Sequence, residues 1–148
     1  MELYQHDFSE LDGTDLDEYG QYGYYDLDCF WINPAWCAYV IKVDDKWAGF
    51  ALTNDDVQVA GNSRAIVEFF VVRKFRKQGV GRAAALALMT KSPAKWEIRV
   101  MQENIAAHDF WERLVTTTWH AAHRKSVVEN DEWHGPIFSV DTHRDAAS

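Results

Sequence analysis

Along residues 65–72, AIVEFFVV, every position is apolar except Glu68, and β-branched and aromatic side chains dominate. A run of that kind predicts a central strand covered on both faces. Upstream, CAYVIKV (37–43) and WAGFALT (47–53) flank the polar DDK and predict a hairpin. Downstream, the alanine-rich stretch 79–91 predicts a helix stopped by Ser92-Pro93. KWEIRVM (95–101) predicts the next strand. Asn104 then caps a helix over 105–115, with Ile105, His108, Trp111 and Val115 spaced along one face. TTWHAAHRKS (117–126) and PIFSVDT (136–142) predict two last strands around the turn ENDEWHG. Leu3, Phe8 and Leu11 predict a short helix over 1–11, residues 12–28 a loop or broken helix, 54–64 a polar connection, and 143–148 a frayed tail. A strand–helix–strand unit among hairpin-linked strands predicts an α/β (α+β) fold with a mixed, mostly antiparallel sheet. No repeat or linker divides the 148 residues, so a single domain over 1–148 is expected.

Charge sharpens this picture. The net charge of −8 argues against a nucleic-acid partner, because phosphate binding needs a basic face. It suits a cationic small molecule or peptide. The acid gathers between Asp7 and Asp28, where no Lys or Arg occurs, whereas Arg73, Lys74, Arg76, Lys77 and Arg82 crowd one short stretch. No segment has the apolar length of a membrane span, and MELYQHDFSE lacks the basic start and apolar core of a signal peptide. A cytoplasmic location follows as an expectation, with Cys29 and Cys37 as free thiols.

The basic stretch contains RKQGVGR, Arg76 to Arg82, between the central strand and the alanine-rich helix. Glycines there let consecutive backbone N–H groups approach an anion, and the helix N-terminus adds its positive end. A Walker A loop needs GxxxxGK[ST], which is absent. Gly79-Val80-Gly81-Arg82-Ala83-Ala84 spells GxGxxA, but a dinucleotide fold needs a tight turn at the first glycine and a longer chain. An ordinary strand-to-helix turn with solvated basic residues is the plain alternative.

A third reading uses the whole string. Arg76-x-x-Gly79-x-Gly81 fits (Q/R)xxGx(G/A), and VMQENIAAHDFWERL follows with Asn104, Ala107, Phe110 and Trp111. Over residues 37–115 the order and spacing resemble the GCN5-related N-acetyltransferase (GNAT) family, in particular a bacterial subgroup of acetyltransferases. The resemblance implies acetyl-CoA as co-substrate, held by Phe70, Val71, Val72, Arg76, Lys77, Gln78, Gly79, Val80, Gly81, Arg82, Ala83, Asn104, Phe110 and Trp111. It also implies a pantetheine arm entering a splay between the two strands, and an oxyanion donor in a backbone N–H near Val71, where the family's strand is interrupted. Departures are visible too. The family opens with a strand before its first helix, and here 36 residues precede the first clear strand. Trp111 stands where many members have a tyrosine acid, and Arg99 where some have a glutamate base.

Glu68 is therefore the leading base, since a carboxylate in a central strand is costly unless something is gained. Its plain alternative is an ion pair with Arg64 or Arg99. Glu103 and the acidic loop 12–28 are weaker candidates. His120 and His123 form HxxH, but on a strand they would face opposite ways with no third ligand, so no metal is expected. Neither GxSxG nor a Cys–His setting supports an acyl-enzyme. Tyr19, Tyr22, Tyr24, Tyr25, Phe30, Trp31 and Trp36 stand among the N-terminal acids; in the family that segment walls the acceptor site. Aromatic faces beside carboxylates suit an organic cation. The expected activity is direct acetyl transfer to a primary amine of a small cationic acceptor, aminoglycoside- or polyamine-like. Acetylation of a protein N-terminus or lysine, and an acyl-CoA sensor without catalysis, are the alternatives. The expected partner is a small-molecule amine, with neither nucleic acid nor membrane, and a homodimer is compatible.

Overall fold

The computed structural model describes residues 1–24 and 27–143. Helix α1 (Glu2–Asp12) ends at Gly13, whose left-handed φ of 72° returns its N–H to the Ser9 carbonyl. The short α2 (Cys29–Ile32) precedes β1 (Cys37–Val43) and β2 (Lys46–Asn54). Asp44 and Asp45 join these strands with φ of 49° and 60°, the paired left-handed residues of a two-residue hairpin turn. Then come β3 (Arg64–Val71), a 3₁₀ turn (Arg73–Phe75), α3 (Val80–Lys91), β4 (Lys95–Arg99), α4 (Ile105–Thr118), β5 (His123–Glu129) and β6 (His134–Asp141). The strands form one sheet in the order β1-β2-β3-β4-β6-β5. Each neighbouring pair is antiparallel except β3 and β4, which α3 connects.

Trp96, Ile98, Met89, Val115 and Phe138 are almost wholly buried in the core shared by the sheet with α3 and α4. Asn104 caps α4 as expected, its Oδ1 accepting the Ala107 N–H at 3.1 Å.

Two predicted boundaries are corrected. The strand expected over 117–126 begins only at His123, because α4 runs on to Thr118. Thr116 and Thr117 donate their hydroxyls back to the Glu112 and Arg113 carbonyls, and buried Val115 and Trp119 anchor the last turn. His120 therefore lies in the turn, while His123 points Nδ1 at the Trp119 carbonyl, 2.9 Å away. The strand expected over 95–101 ends at Arg99. No strand precedes β1 among the described residues; the short helix expected over 1–11 is found as α1. Most of the tail 143–148 lies outside the described residues.

Candidate active site

A register break in β3 builds the site. Leu52 of β2 lies opposite Glu68, but Thr53 lies opposite Ile66, so Val67 is an extra residue in β3. Such a bulge reverses the alternation of side chains between the two faces. Before it, Ile66 joins the core under α3 and α4; after it, Phe69 packs against that core. Glu68 and Phe70 are thereby sent to the opposite face, where α1 lies. The interruption expected near Val71 is thus found earlier, at Val67. Parallel pairing of β3 with β4 also stops at Ile66 and Ile98. Beyond that point the strands separate.

A cavity of about 350 Å³ occupies the gap, within the range of small-molecule sites. On one face it is lined by Asn104, Ala107 and Trp111 of α4 and its cap. On the other it is lined by Tyr4, Phe8 and Asp12 of α1, and Trp133 from the β5–β6 turn also lines it. Val67, Glu68, Phe69 and Arg99 stand between. The opening therefore passes through the sheet from one face to the other.

Glu68 pairs with neither Arg64 nor Arg99, contrary to the plain alternative. Tyr4 donates its hydroxyl to Oε2, and Tyr24 donates to Oε1 at 3.1 Å. Burial raises the Glu68 carboxyl above the usual carboxylate range; the two hydroxyls and the charge of Arg99 pull it down without cancelling that effect. Burial, and then Glu68 itself, push the Tyr4 hydroxyl far above its ordinary value, so Tyr4 stays protonated as a donor. Arg64 instead donates to the Ala35 carbonyl and Thr53 Oγ1. Arg99 lies 3.4 Å from Glu97 and donates to the Asp56 carbonyl. Glu97 is fully buried and accepts the Gln58 and Val59 N–H groups and the Asn62 amide, fixing the connection from β2 to β3.

The glycine turn lies beyond the end of β3. Lys77 and Gly79 adopt left-handed φ of 58° and 80°. Gly79 provides no side-chain cap, and the first helical bond of α3 runs from Ala83 to Gly79. Within the described residues no acceptor meets the N–H groups of Gln78, Gly79, Val80, Gly81 and Arg82, so a row of donors remains open at a helix start. Of the expected basic residues, Lys77 and Arg82 are exposed. Arg73 and Arg76 are both bound by Asp7 of α1, and Arg76 Nε donates to the Val71 carbonyl at 2.6 Å. Burial alone would raise the Asp7 carboxyl, but the Arg76 and Arg73 guanidiniums bring it below its ordinary range.

The remaining expected residues divide. Val72 donates its N–H to the Ala48 carbonyl, so strand alternation turns the Val71 N–H the other way, toward the β4 side. Phe110 contacts Phe69 and Trp111, and a side chain at Gly81 would meet its ring at 3.4 Å. Trp111 is 4% exposed and lines the cavity. Phe70 packs on Tyr4 and Phe50 on the α1 face, under the Arg76 guanidinium. Val72, Gln78 and Ala83 stay with the turn, Gln78 donating to the Lys74 carbonyl. Glu103 is exposed and does not line the cavity. Of the aromatics expected over 19–36, Tyr24 reaches Glu68, Tyr19 and Trp31 face solvent, Phe30 packs on Trp36, and Tyr25 lies outside the described residues. Among the described residues no cluster of His, Cys, Asp or Glu could hold a metal, and no helix is long and apolar enough to cross a membrane.

Sequence reasoning missed Tyr4, Asp7 and Glu97. No local pattern marks them, since their partners are distant in the chain.

The family model described as "Acetyltransferase (GNAT) family" matches residues 1–115. The chain belongs to the GNAT acetyltransferase family, whose co-substrate is acetyl-CoA. No curated protein matches it. Among solved structures it is similar to a protein of Bacillus anthracis strain Ames, assigned by inference as a streptothricin acetyltransferase and crystallised with acetyl coenzyme A. The identity is 17% and the TM-score 0.46, over 72% of this chain and 61% of that one. The chain thus spans 61% of the length of the solved protein it matches.

Proposed function

We propose that the protein transfers an acetyl group from acetyl-CoA directly to a primary amine of a small cationic acceptor. The observation that carries this reading is the cavity through the sheet, with Glu68 toward one face and, toward the other, α4 and the open donors of the glycine turn. Acetyl-CoA supplies the activated acyl group. The N–H groups of Gln78 to Arg82 suit its pyrophosphate, and the Asn104 side-chain amide, whose oxygen is spent on the cap, keeps its NH₂ as a donor.

The acceptor amine, with an ordinary pKa of about 10.4, is mostly ammonium at neutral pH and must lose a proton before it attacks. Glu68 takes that proton, and its raised carboxyl makes it the stronger base. The Val71 N–H is the donor for the developing oxyanion. A thiol's pKa of about 8.5 lets the thiolate leave without an acid. Trp111 therefore serves as packing for the cofactor arm. Trp111→Tyr should change kcat by less than about tenfold, well short of what a general acid contributes, at some cost in stability. A gain of roughly a hundredfold would show that the natural chain is catalytically impaired.

Tyr4, Phe8 and Trp133 line the cavity together with Asp12 and Glu68, a composition that suits an organic cation. Asp15 and Asp17 do not line the cavity, and Asp17 is occupied by the Tyr19 and Gln21 N–H groups. Asp12→Asn should accordingly raise KM for a diamine by about 3–5-fold, the size of a single partly screened charge contact, with acetyl-CoA affinity unchanged. Added salt should weaken the same discrimination. Equal KM values for parent and variant would make Asp12 a solubility charge.

The test is a thermal-shift titration with acetyl-CoA followed by an acetylation assay on monoamines, polyamines, aminoglycosides and lysine peptides. Stabilisation by acetyl-CoA and turnover of the cationic small amines is the expected result. Stabilisation without turnover of any amine would replace the enzyme by an acyl-CoA sensor, and turnover of peptides alone would move the acceptor to protein.

A further inference from the structure

Glu68 is held in an unusual way for a carboxylate in a central strand. Each of its oxygens receives a tyrosine hydroxyl, one from Tyr4 on α1 and one from Tyr24 in the following loop. Neither tyrosine comes from the strand–helix–strand unit; both come from the N-terminal segment that precedes β1.

That segment is tied together as one piece. Glu2 accepts the Tyr22 and Gly23 N–H groups at 2.9 and 3.2 Å, and the Gln5 amide donates to the Gly23 carbonyl at 3.1 Å. The loop before Tyr24 is thereby strapped to the first turns of α1. The Tyr4 ring is 5% exposed and wedged among Phe8, Phe50 and Phe70, so its hydroxyl has little freedom to leave Glu68. One turn further on, Asp7 grips Arg73 and Arg76 and docks α1 on the strand's exit.

We propose that Tyr4 and Tyr24 are positioning residues of the active site, delivered as a unit by the N-terminal segment to hold both oxygens of Glu68 at the cavity and keep it working as a base. This rests on the role proposed above for Glu68. A carboxylate sunk in a partly apolar wall prefers to be neutral, and a neutral carboxyl takes no proton from an amine. Two hydroxyl donors oppose that tendency, since hydrogen bonds to the charged form favour it. The other charged groups facing the site are Arg99 on β4, largely engaged by Glu97, and Asp12 on α1, which acts on Tyr4. Leu52, opposite Glu68 on β2, brings no charge.

Tyr4→Phe removes a donor to the ionised carboxylate, so the Glu68 carboxyl should titrate at higher pH, and the acidic limb of the kcat profile should move up with it. At pH above the shifted limb the rate should return to within about threefold of the parent, because the base itself is intact. Tyr24→Phe should shift the limb in the same direction, and the double variant further than either. A merely structural tyrosine would lower the rate evenly across pH. The Glu68 titration can be read without turnover, by carboxyl NMR of protein carrying ¹³C-labelled glutamate, with Glu68→Gln identifying the resonance. Calorimetry with acetyl-CoA checks that each variant is folded, and Tyr24→Phe serves if Tyr4→Phe is too unstable. A Glu68 titration and an acidic limb that stay put in active Tyr→Phe enzymes would overturn this inference and leave the acetyltransferase reading intact. A parent that binds acetyl-CoA but acetylates no amine would overturn that reading, and the catalytic role of the tyrosines with it.

Discussion

Glu68→Gln is expected to lower kcat by about 10²–10⁴-fold while acetyl-CoA binding persists, the usual worth of a positioned general base. The substitution keeps shape and burial but leaves a group that cannot take a proton. One tyrosine hydroxyl can still donate to the amide oxygen, and the other can accept from the amide NH₂, so the site need not collapse. The glycine turn is untouched, because it lies beyond the end of β3 and donates through backbone N–H groups. The deficit should be largest near neutral pH and shrink as pH rises toward the amine's own pKa, about 10.4, where solvent supplies the free amine. Steady-state kinetics between about pH 6 and 10, with calorimetry for acetyl-CoA, decides the matter. A variant as active as its parent would return Glu68 to a structural role, anchoring α1 through Tyr4.

The second large effect is expected at Gly81. Gly81→Asp should weaken acetyl-CoA binding by about 10²–10⁴-fold, equivalent to losing roughly two charge-assisted hydrogen bonds. Gly81 sits in the first turn of α3, among the open N–H groups, with space for a Cβ only at 3.4 Å from the Phe110 ring and 3.7 Å from Val71. An aspartate there puts its own carboxylate where the pyrophosphate would take the donors. An acidic side chain in the first turn of a helix is favoured by the dipole, so the fold should survive. Gly81→Ala separates the causes, since it presses on Phe110 without adding charge, and its effect on affinity should be far smaller. Unchanged affinity in a folded Gly81→Asp protein would remove the turn from the cofactor site.

The sequence by itself determined the elements whose causes are local. The hairpin of β1 and β2 follows from two apolar runs and a turn that tolerates left-handed residues. The end of α3 follows from Ser92-Pro93, and the start of α4 from the Asn104 cap. The family was legible for the same reason, because RKQGVGR is one contiguous string in which glycine spacing dictates where backbone donors point. Glu68 was legible as a carboxylate out of place in an apolar run.

Tertiary structure alone decided what surrounds that carboxylate. The extra residue at Val67 sends Glu68 to the face opposite Ile66, and no propensity marks a bulge inside eight strand-forming residues. Its partners Tyr4 and Tyr24 lie 64 and 44 positions away, and the partner of Arg73 and Arg76 is Asp7, 66 and 69 positions away. Packing also decides the length of α4, since threonines with poor helix propensity are held helical by buried Val115 and Trp119. Local chemistry acts through a few neighbouring residues and can be read along the chain. A hydroxyl that meets a carboxylate across the sheet depends on register, bulge and packing together, and those exist only once the chain has folded.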